Sequence, residues 1–344
     1  MTVLEPFKVK NIAFCNRIVM APMVPFGVRE LESGIMSDEL TEHYLKRVEN
    51  NMGLLIIQTL SVTQTDIYAN GVGIYRTGIF SEEHKVPLKH IAENFHAHGS
   101  KVFVQLGYPS ENYDSGASIN EISTDKMFRI KNEFIAAARR CKDAGCDGIE
   151  LHGAHGFFLN MITSEKSNRR KDCYGGDFNN RLRLVREIVS GIQEFTTDDF
   201  IISYRFGGCN NLDVDICMAQ ALEQMGIEML HVSSGIAMEQ SLSLSSDFEY
   251  NEIVYSGIEI RKSVRIPVIA VNDIQTIERA DYLIENNLID FTAFGKPFLA
   301  DDLFLVHALN QTNYAPCLNC KNCQWFMSGE HCPARIKLKK KKSF

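Results

Sequence analysis

The sequence predicts an α/β fold: a closed (β/α)8 barrel of the TIM type, with an N-terminal hairpin before it and a short Cys-rich extension after it. Three observations carry that expectation. Eight apolar strand candidates alternate with eight helical stretches, the pattern of successive βα units. Several of the strands are apolar on both faces, as a sheet covered on both sides requires. Eight such units in roughly 300 residues fit a closed barrel better than an open doubly wound sheet.

In chain order, Phe7–Phe14 alternates around a turn-like Lys10-Asn11 and predicts the hairpin. The strands follow at Ile18–Met23, Leu54–Val62, Lys101–Leu106, Gly148–His152, Phe200–Phe206, Met229–Ser233, Pro267–Val271 and Phe291–Phe294. The helices are expected at Ser37–Asn50, Glu83–His98, Asp125–Ala144, Asn180–Glu194, Val214–Met225, Asn251–Val264, Thr276–Asn286 and Ala300–Leu309. Gly99, Gly145 and Gly226 each stand just past a helix and before a strand, where a left-handed cap is needed. Residues 1–310 are expected to form the barrel and 311–344 the extension with its basic end, Lys337 to Lys342.

Composition narrows the function classes. The 344 residues are 45% hydrophobic with a net charge of -7, which gives no general nucleic-acid signal. The basic end is expected to be a solvated terminus. No apolar run approaches the roughly 18 residues of a membrane span, and the first residues lack the basic region and apolar core of a signal peptide. A cytoplasmic location is therefore expected, with the ten cysteines not paired as disulfides. Gly71-Val72-Gly73 lacks the rest of a dinucleotide fingerprint and is expected to be a loop.

Barrel chemistry sits where the strands end. Those ends carry Ala21-Pro22-Met23-Val24, Gln58-Thr59, Gln105, His152 with His155, Arg205, Ser233-Ser234, Asn272-Asp273 and Gly295-Lys296. Polar groups gather there although the strands before them are apolar. Arg205 and Lys296 supply fixed positive charge, which suits an anionic, hydrogen-bonding ligand such as a phosphorylated cofactor. Two imidazoles leaving one strand together point to a common site, where they could stabilise charge that develops on one oxygen.

At these residues the chain resembles the Old Yellow Enzyme family, FMN-dependent NAD(P)H oxidoreductases on a (β/α)8 barrel. The resemblance rests on Asn16 to Met23, Gln105, His152-Gly153-Ala154-His155-Gly156, Asp172 to Gly176 with Asn180-Arg181, Arg205 and Phe294-Gly295-Lys296. It covers roughly residues 5–310 and looks closest to the branch of NADH oxidases and 2,4-dienoyl-CoA reductases. It implies that Ala21, Pro22, Met23, Val24 and Thr59 lie along FMN, and that Gln105 meets the pyrimidine edge of its ring. Arg205 would stand near N1 and O2, and Gly295 and Lys296, with the backbone around Asn272, would hold the phosphate. His152 and His155 would donate to an oxygen of the substrate, with NADH or NADPH as reductant and an activated alkene, quinone or similar acceptor.

Departures from the family pattern are informative. Phe157 stands where most members carry a Tyr acid, so impaired reduction of activated alkenes is expected. Tyr108 stands where many carry His and is a replacement acid or a packing aromatic. Phe26 replaces a substrate-capping Tyr, Val24 a Thr or Cys, and Lys296 an Arg, which removes a bidentate fork. Asn272-Asp273 replaces a Gly pair; Asn tolerates the left-handed backbone, and Asp273 is expected to face away from a phosphate.

Cys317, Cys320, Cys323 and Cys332 are dense for a reducing compartment and suggest metal. A 4Fe–4S cluster and tetrahedral zinc are both open, as are free thiols. Trp325 and Phe326 between them are expected to pack on the barrel. Alternatives to the free-standing oxidoreductase are the barrel half of a 2,4-dienoyl-CoA-reductase-like system, a weakly catalytic flavin-binding protein and a barrel aldolase or isomerase. The last lacks a strand-end Lys in mid-site. A small-molecule substrate is expected; a homo-oligomer and a separate electron-transfer protein remain open, while nucleic acid and membrane are not expected as partners.

Overall fold

A computed structural model describes residues 1–64, 77–109, 119–238 and 241–342 of the chain. Strands β1 (Phe7–Val9) and β2 (Ile12–Phe14) form an antiparallel hairpin turned at Lys10, whose φ is 52°. Eight parallel strands follow: β3 (Ile18–Met20), β4 (Leu54–Ser61), β5 (Lys101–Gly107), β6 (Gly148–Gly153), β7 (Ile201–Gly208), β8 (Met229–Ser234), β9 (Val268–Val271) and β10 (Phe291–Phe294). Each pairs with the next, and β10 returns to β3, so the sheet closes as a barrel and no strand edge is left open.

Two apolar layers hold it. Inside the barrel, Val19, Leu54, Ile56, Phe103, Ile201, Met229, Ile269 and Phe291 fill the base. The hairpin plugs that base with Val9, Ile12 and Phe14; the Phe14 ring meets Phe103 and Phe291 edge-on at 6.2 and 5.2 Å. Burying a ring like this stabilises by roughly 1.5–3 kcal/mol. The second, larger layer lies between the barrel and its helices and contains Ile18, Leu55, Val102, Ile149, Ile202, Leu230 and Val268. Successive strand residues thus face opposite cores, which is why both read as apolar.

The helices are α1 (Asp38–Leu45), α2 (Lys85–Ala97), α3 (Thr124–Asp143), α4 (Phe158–Thr163), α5 (Phe178–Arg181), α6 (Arg183–Gln193), α7 (Leu212–Met225), α8 (Glu252–Ser263), α9 (Ile277–Glu285), α10 (Lys296–Ala300), α11 (Phe304–Asn310) and α12 (Pro333–Lys342). Ser37, Ser123, Asn211, Asn251 and Thr276 cap the starts of α1, α3, α7, α8 and α9, accepting from backbone N–H groups one turn on. Gly99, Gly145 and Gly226 take φ of 81°, 88° and 97°, as the left-handed stops require. The eighth helical stretch begins earlier than its sequence pattern and is broken between α10 and α11, where the Asp301 carboxylate accepts from Leu303 N–H. The basic end is part of α12, with Pro333 at its first position. Gly71-Val72-Gly73 lies outside the described residues.

Candidate active site

A cavity of about 660 Å³ opens at the C-terminal mouth of the barrel. The structure gathers there every strand-end residue singled out for cofactor or substrate except Tyr108: Ala21, Pro22, Met23, Val24, Phe26, Thr59, Gln105, His152, His155, Phe157, Arg205, Asn272, Gly295 and Lys296. Tyr108 is buried, its ring 4.9 Å from that of Phe158, and is not among the residues lining this cavity.

Strand register explains the gathering. Gln105 of β5 stands opposite Glu150 of β6, and His152, Arg205 and His231 stand in one row across β6, β7 and β8. Two residues along a strand return to the same face, so Glu150 lies directly beneath His152 on the barrel's inside. Between β4 and β5 the register slips by one residue after Ile57, a bulge that aims Thr59 at Gln105.

The polar side chains form a closed hydrogen-bonded circuit. Arg205 Nη2 donates to Ser233 Oγ at 3.1 Å, and Ser233 Oγ lies 2.7 Å from His155 Nε2. His155 Nδ1 lies 3.0 Å from His152 Nε2, and His152 Nδ1 lies 3.1 Å from Thr59 Oγ1, which donates to Gln105 Oε1. Gln105 Nε2 donates to Glu150 Oε1 at 2.8 Å, and Glu150 Oε2 lies 2.8 Å from His231 Nδ1. Arg205 Nη1, 3.0 Å from both His231 ring nitrogens, closes the loop. All four ring nitrogens of His152 and His155 are therefore engaged within the protein.

Burial sets the charges. Burial and then the nearby Arg205 push His155 down to about 3 and His231 down to about 4, and burial with His155 and Arg205 holds His152 well below the ordinary imidazole value. All three are neutral at pH 7. Burial alone would raise the Glu150 carboxyl, but His231, Arg205 and the Gln105 bond outweigh it and hold it low, so it is ionised. Burial lowers Arg205 to about 10, which leaves it charged. Its Nε has no hydrogen-bond partner among the described residues.

Left-handed residues shape the rim. His155 and Gly156 take φ of 60° and 75°, and His155 N–H donates to Ser234 O at 3.0 Å, which turns the loop back over β8. Asn272 and Asp273 take φ of 89° and 55° in succession at the end of β9. Asp273 is among the residues lining the cavity, and its carboxylate accepts from Gln275 at 3.1 Å. Two left-handed residues in a row keep the backbone turning at the rim instead of feeding it straight to α9.

The extension supplies part of the wall. Cys323 and Trp325 line the cavity, and Lys296 Nζ donates to Asn319 Oδ1 at 2.9 Å. Arg335 anchors it through a two-pronged bond to Asp302 at 2.7 and 2.8 Å and lies over the Trp325 ring. The metal expected at Cys317, Cys320, Cys323 and Cys332 is not supported. The four thiols border one small cavity, but among the described residues no group of three or more His, Cys, Asp or Glu could hold a metal ion. Their environments differ: Cys332 is buried with Leu299 and Trp325, Cys320 is exposed, and Cys317 Sγ accepts from Asn319 N–H.

Sequence reasoning missed Glu150 and His231 as site groups, and Cys323 and Trp325 as cavity wall. The first two carried a usable signal: a charged or ionisable residue inside an apolar strand is costly unless paired.

These groups fit the FMN that the resemblance implies. The cavity lies within the ~300–1,000 Å³ of small-molecule sites. Its floor is apolar, from Ala21, Met23, Val271 and Ala293, and in its wall stands a buried guanidinium with an N–H that has no partner among the described residues. Gly295 leaves the strand end bare, since a Cβ there would crowd Met23 Sδ at 3.1 Å.

Comparison with known proteins agrees. The model of the NADH:flavin oxidoreductase / NADH oxidase family matches residues 2–314. The chain is 32% identical over 342 residues to an NADH oxidase of Thermoanaerobacter brockii, covering 91% of this chain but 52% of that protein. It is 27% identical over 318 residues to an NADPH dehydrogenase of Listeria welshimeri, covering 87% and 91%. In fold it is similar to a 2-naphthoyl-CoA reductase, with a TM-score of 0.80 at 18% identity over 95% of this chain and 56% of that one. The chain thus spans about half the first and third of these and nearly all of the second.

Proposed function

From its place in the NADH:flavin oxidoreductase / NADH oxidase family, to which this chain belongs as an FMN-dependent NAD(P)H oxidoreductase, we propose that it passes hydride from NADH or NADPH to an electron-poor small molecule held at His152 and His155. Bound FMN supplies the hydride-carrying ring. The chain's part is placement and field. Ala21 to Val24 and Thr59 offer the surface along the ring, Gln105 and Arg205 the hydrogen bonds at its polar edge, and Gly295, Lys296 and the backbone at Asn272 the phosphate site. Lys296 acts there as a point charge held by Asn319. The acceptor's oxygen enters where the His152–His155 bond opens. Both imidazoles are neutral, and Phe157 cannot donate a proton. Acceptors that need no carbon protonation by the protein, such as quinones, flavins, nitro groups or oxygen, are therefore favoured over activated alkenes.

The observation that carries this reading is Arg205: a charged guanidinium, 5% exposed, lining the cavity with no partner for Nε among the described residues. Such a group is costly unless a ligand completes it. The purified protein is expected to show a flavin spectrum that bleaches with NADH or NADPH, then to be reoxidised faster by a quinone than by an enone. A colourless protein that does not take up FMN would refute the reading.

A second reading is favoured by the 52% span of the NADH oxidase. The barrel would then be one half of a larger electron-transfer system, with a separate partner delivering or receiving electrons. Robust turnover by the isolated chain with a nicotinamide and a quinone would argue against it. No described helix is long and apolar enough to cross a membrane; a cytoplasmic location is part of the proposal.

A further inference from the structure

The circuit has two ends of fixed character. Arg205 can only donate and ionised Glu150 can only accept. Every group between them can do both, so the two ends determine the direction of each bond. On the short arm, Glu150 Oε2 requires a proton on His231 Nδ1, which leaves His231 Nε2 to accept from Arg205 Nη1. On the long arm, Gln105 must offer Nε2 to Glu150, which presents its Oε1 to the Thr59 hydroxyl. Thr59 Oγ1 is then an acceptor toward His152 Nδ1–H. His152 Nε2 is bare and accepts from His155 Nδ1–H. His155 Nε2 accepts from Ser233, whose oxygen accepts from Arg205 Nη2. Both arms run from Arg205 to Glu150 without a conflict.

We infer that Glu150 is a positioning residue: through Gln105 and Thr59 it fixes both His152 and His155 as Nδ1–H tautomers, with its own hydrogen bonds going to Gln105 and His231. The consequence deepens the proposed function and rests on that reading of the histidines. When the bond between them opens to a ligand, the site presents one donor, His155 Nδ1–H, and one acceptor, the His152 Nε2 lone pair. It does not present two donors. The ligand class that satisfies both is one carrying an acceptor and a donor side by side, such as a hydroxyl, an enol or a primary amide. The bare oxygen of a quinone or nitro acceptor is therefore held by His155 Nδ1–H alone.

Glu150→Gln tests the assignment without reference to turnover. A Gln at 150 brings a donor that the ionised carboxylate lacks. That donor is satisfied if the Gln105 amide turns over, Thr59 reverses, and both histidines move their protons to Nε2. The measurement is the imidazole ¹⁵N spectrum of histidine-labelled, FMN-loaded protein, with His152 and His155 assigned by single replacements. Wild type is expected to show both as Nδ1–H by about tenfold, the worth of one net hydrogen bond. E150Q is expected to move both toward Nε2–H by a similar factor, and Glu150→Asp, which keeps the charge, to retain the wild-type tautomers. Nε2–H in wild type, or unchanged tautomers in E150Q, overturns the inference. The wild-type spectrum decides the tautomer assignment even if E150Q does not fold. Loss of FMN binding or of turnover with tautomers as expected would instead count against the proposed function.

Discussion

Phe157 packs its ring 4.5 Å from that of His152, at the lip of the cavity. A phenol there would bring a neutral acid beside two imidazoles that cannot serve as acids near pH 7, because burial and Arg205 keep both deprotonated. General acids contribute on the order of 10²–10⁴-fold. Phe157→Tyr is therefore expected to speed reoxidation of the reduced enzyme by an enone by about tenfold or more, and to leave reoxidation by a quinone unchanged. Stopped-flow absorbance reads both; equal rates in the variant and the parent would remove Phe157 from the account. Glu150 and His231 belong to the same scale. Each is an ionisable side chain at 0% exposure, tolerable only because it has a partner at 2.8 Å.

Elements hold these residues in place through close backbone approach. At Gly207 of β7 a Cβ would stand 2.8 Å from Ala154 Cα and 2.9 Å from Gly235 Cα. Those are main-chain atoms on both sides, so neither can swing aside. Gly207→Ala is expected to lower the unfolding free energy by roughly 1–3 kcal/mol, measured by urea denaturation. It is also expected to shift the loop that carries His155. A variant as stable as the parent would mean that the strand ends can spread. The extension acts at this scale as well. Asn319→Ala removes the side-chain bond that holds Lys296 Nζ, a bond of the order of 0.5–1.5 kcal/mol. FMN affinity, followed by flavin fluorescence quenching, is expected to fall about two- to tenfold. A rise would mean that Asn319 competes with the phosphate instead of orienting the lysine.

For the whole molecule the buried histidines give a pH dependence with a definite sign. His231 has a folded value of about 4 against 6.5 in the unfolded chain. Above pH 6.5 both states are neutral there and its contribution is fully present. As pH falls, the unfolded chain binds a proton that the folded chain refuses, so stability declines down to about pH 4. The slope is up to about 1.4 kcal/mol per pH unit and the total on the order of 3 kcal/mol for His231 alone; His152, shifted the same way, adds to it. Urea unfolding at pH 7.5, 6, 5 and 4.5 should show this loss. His231→Gln, whose amide can donate to Glu150 and accept from Arg205, should flatten the slope without the same loss at pH 7.5.

The sequence by itself determined the barrel, because burial on both faces of a parallel sheet forces runs such as Leu54-Leu55-Ile56-Ile57, and because left-handed helix stops force glycine at 99, 145 and 226. It also marked the strand-end residues that line the cavity, since polar groups at those positions have no packing reason to be there. Tertiary structure alone decided the rest. Tyr108, three residues past Gln105 and just beyond the end of its strand, is buried and packs on Phe158. Four cysteines spaced like ligands meet different surroundings and do not assemble a metal site among the described residues. Glu150 and His231 are single letters inside apolar strands; register places one below His152 and the other beside Arg205. Direction in a hydrogen-bonded circuit depends on which donors and acceptors close it, and closure is a property of eight strands in one barrel, not of any segment of the chain.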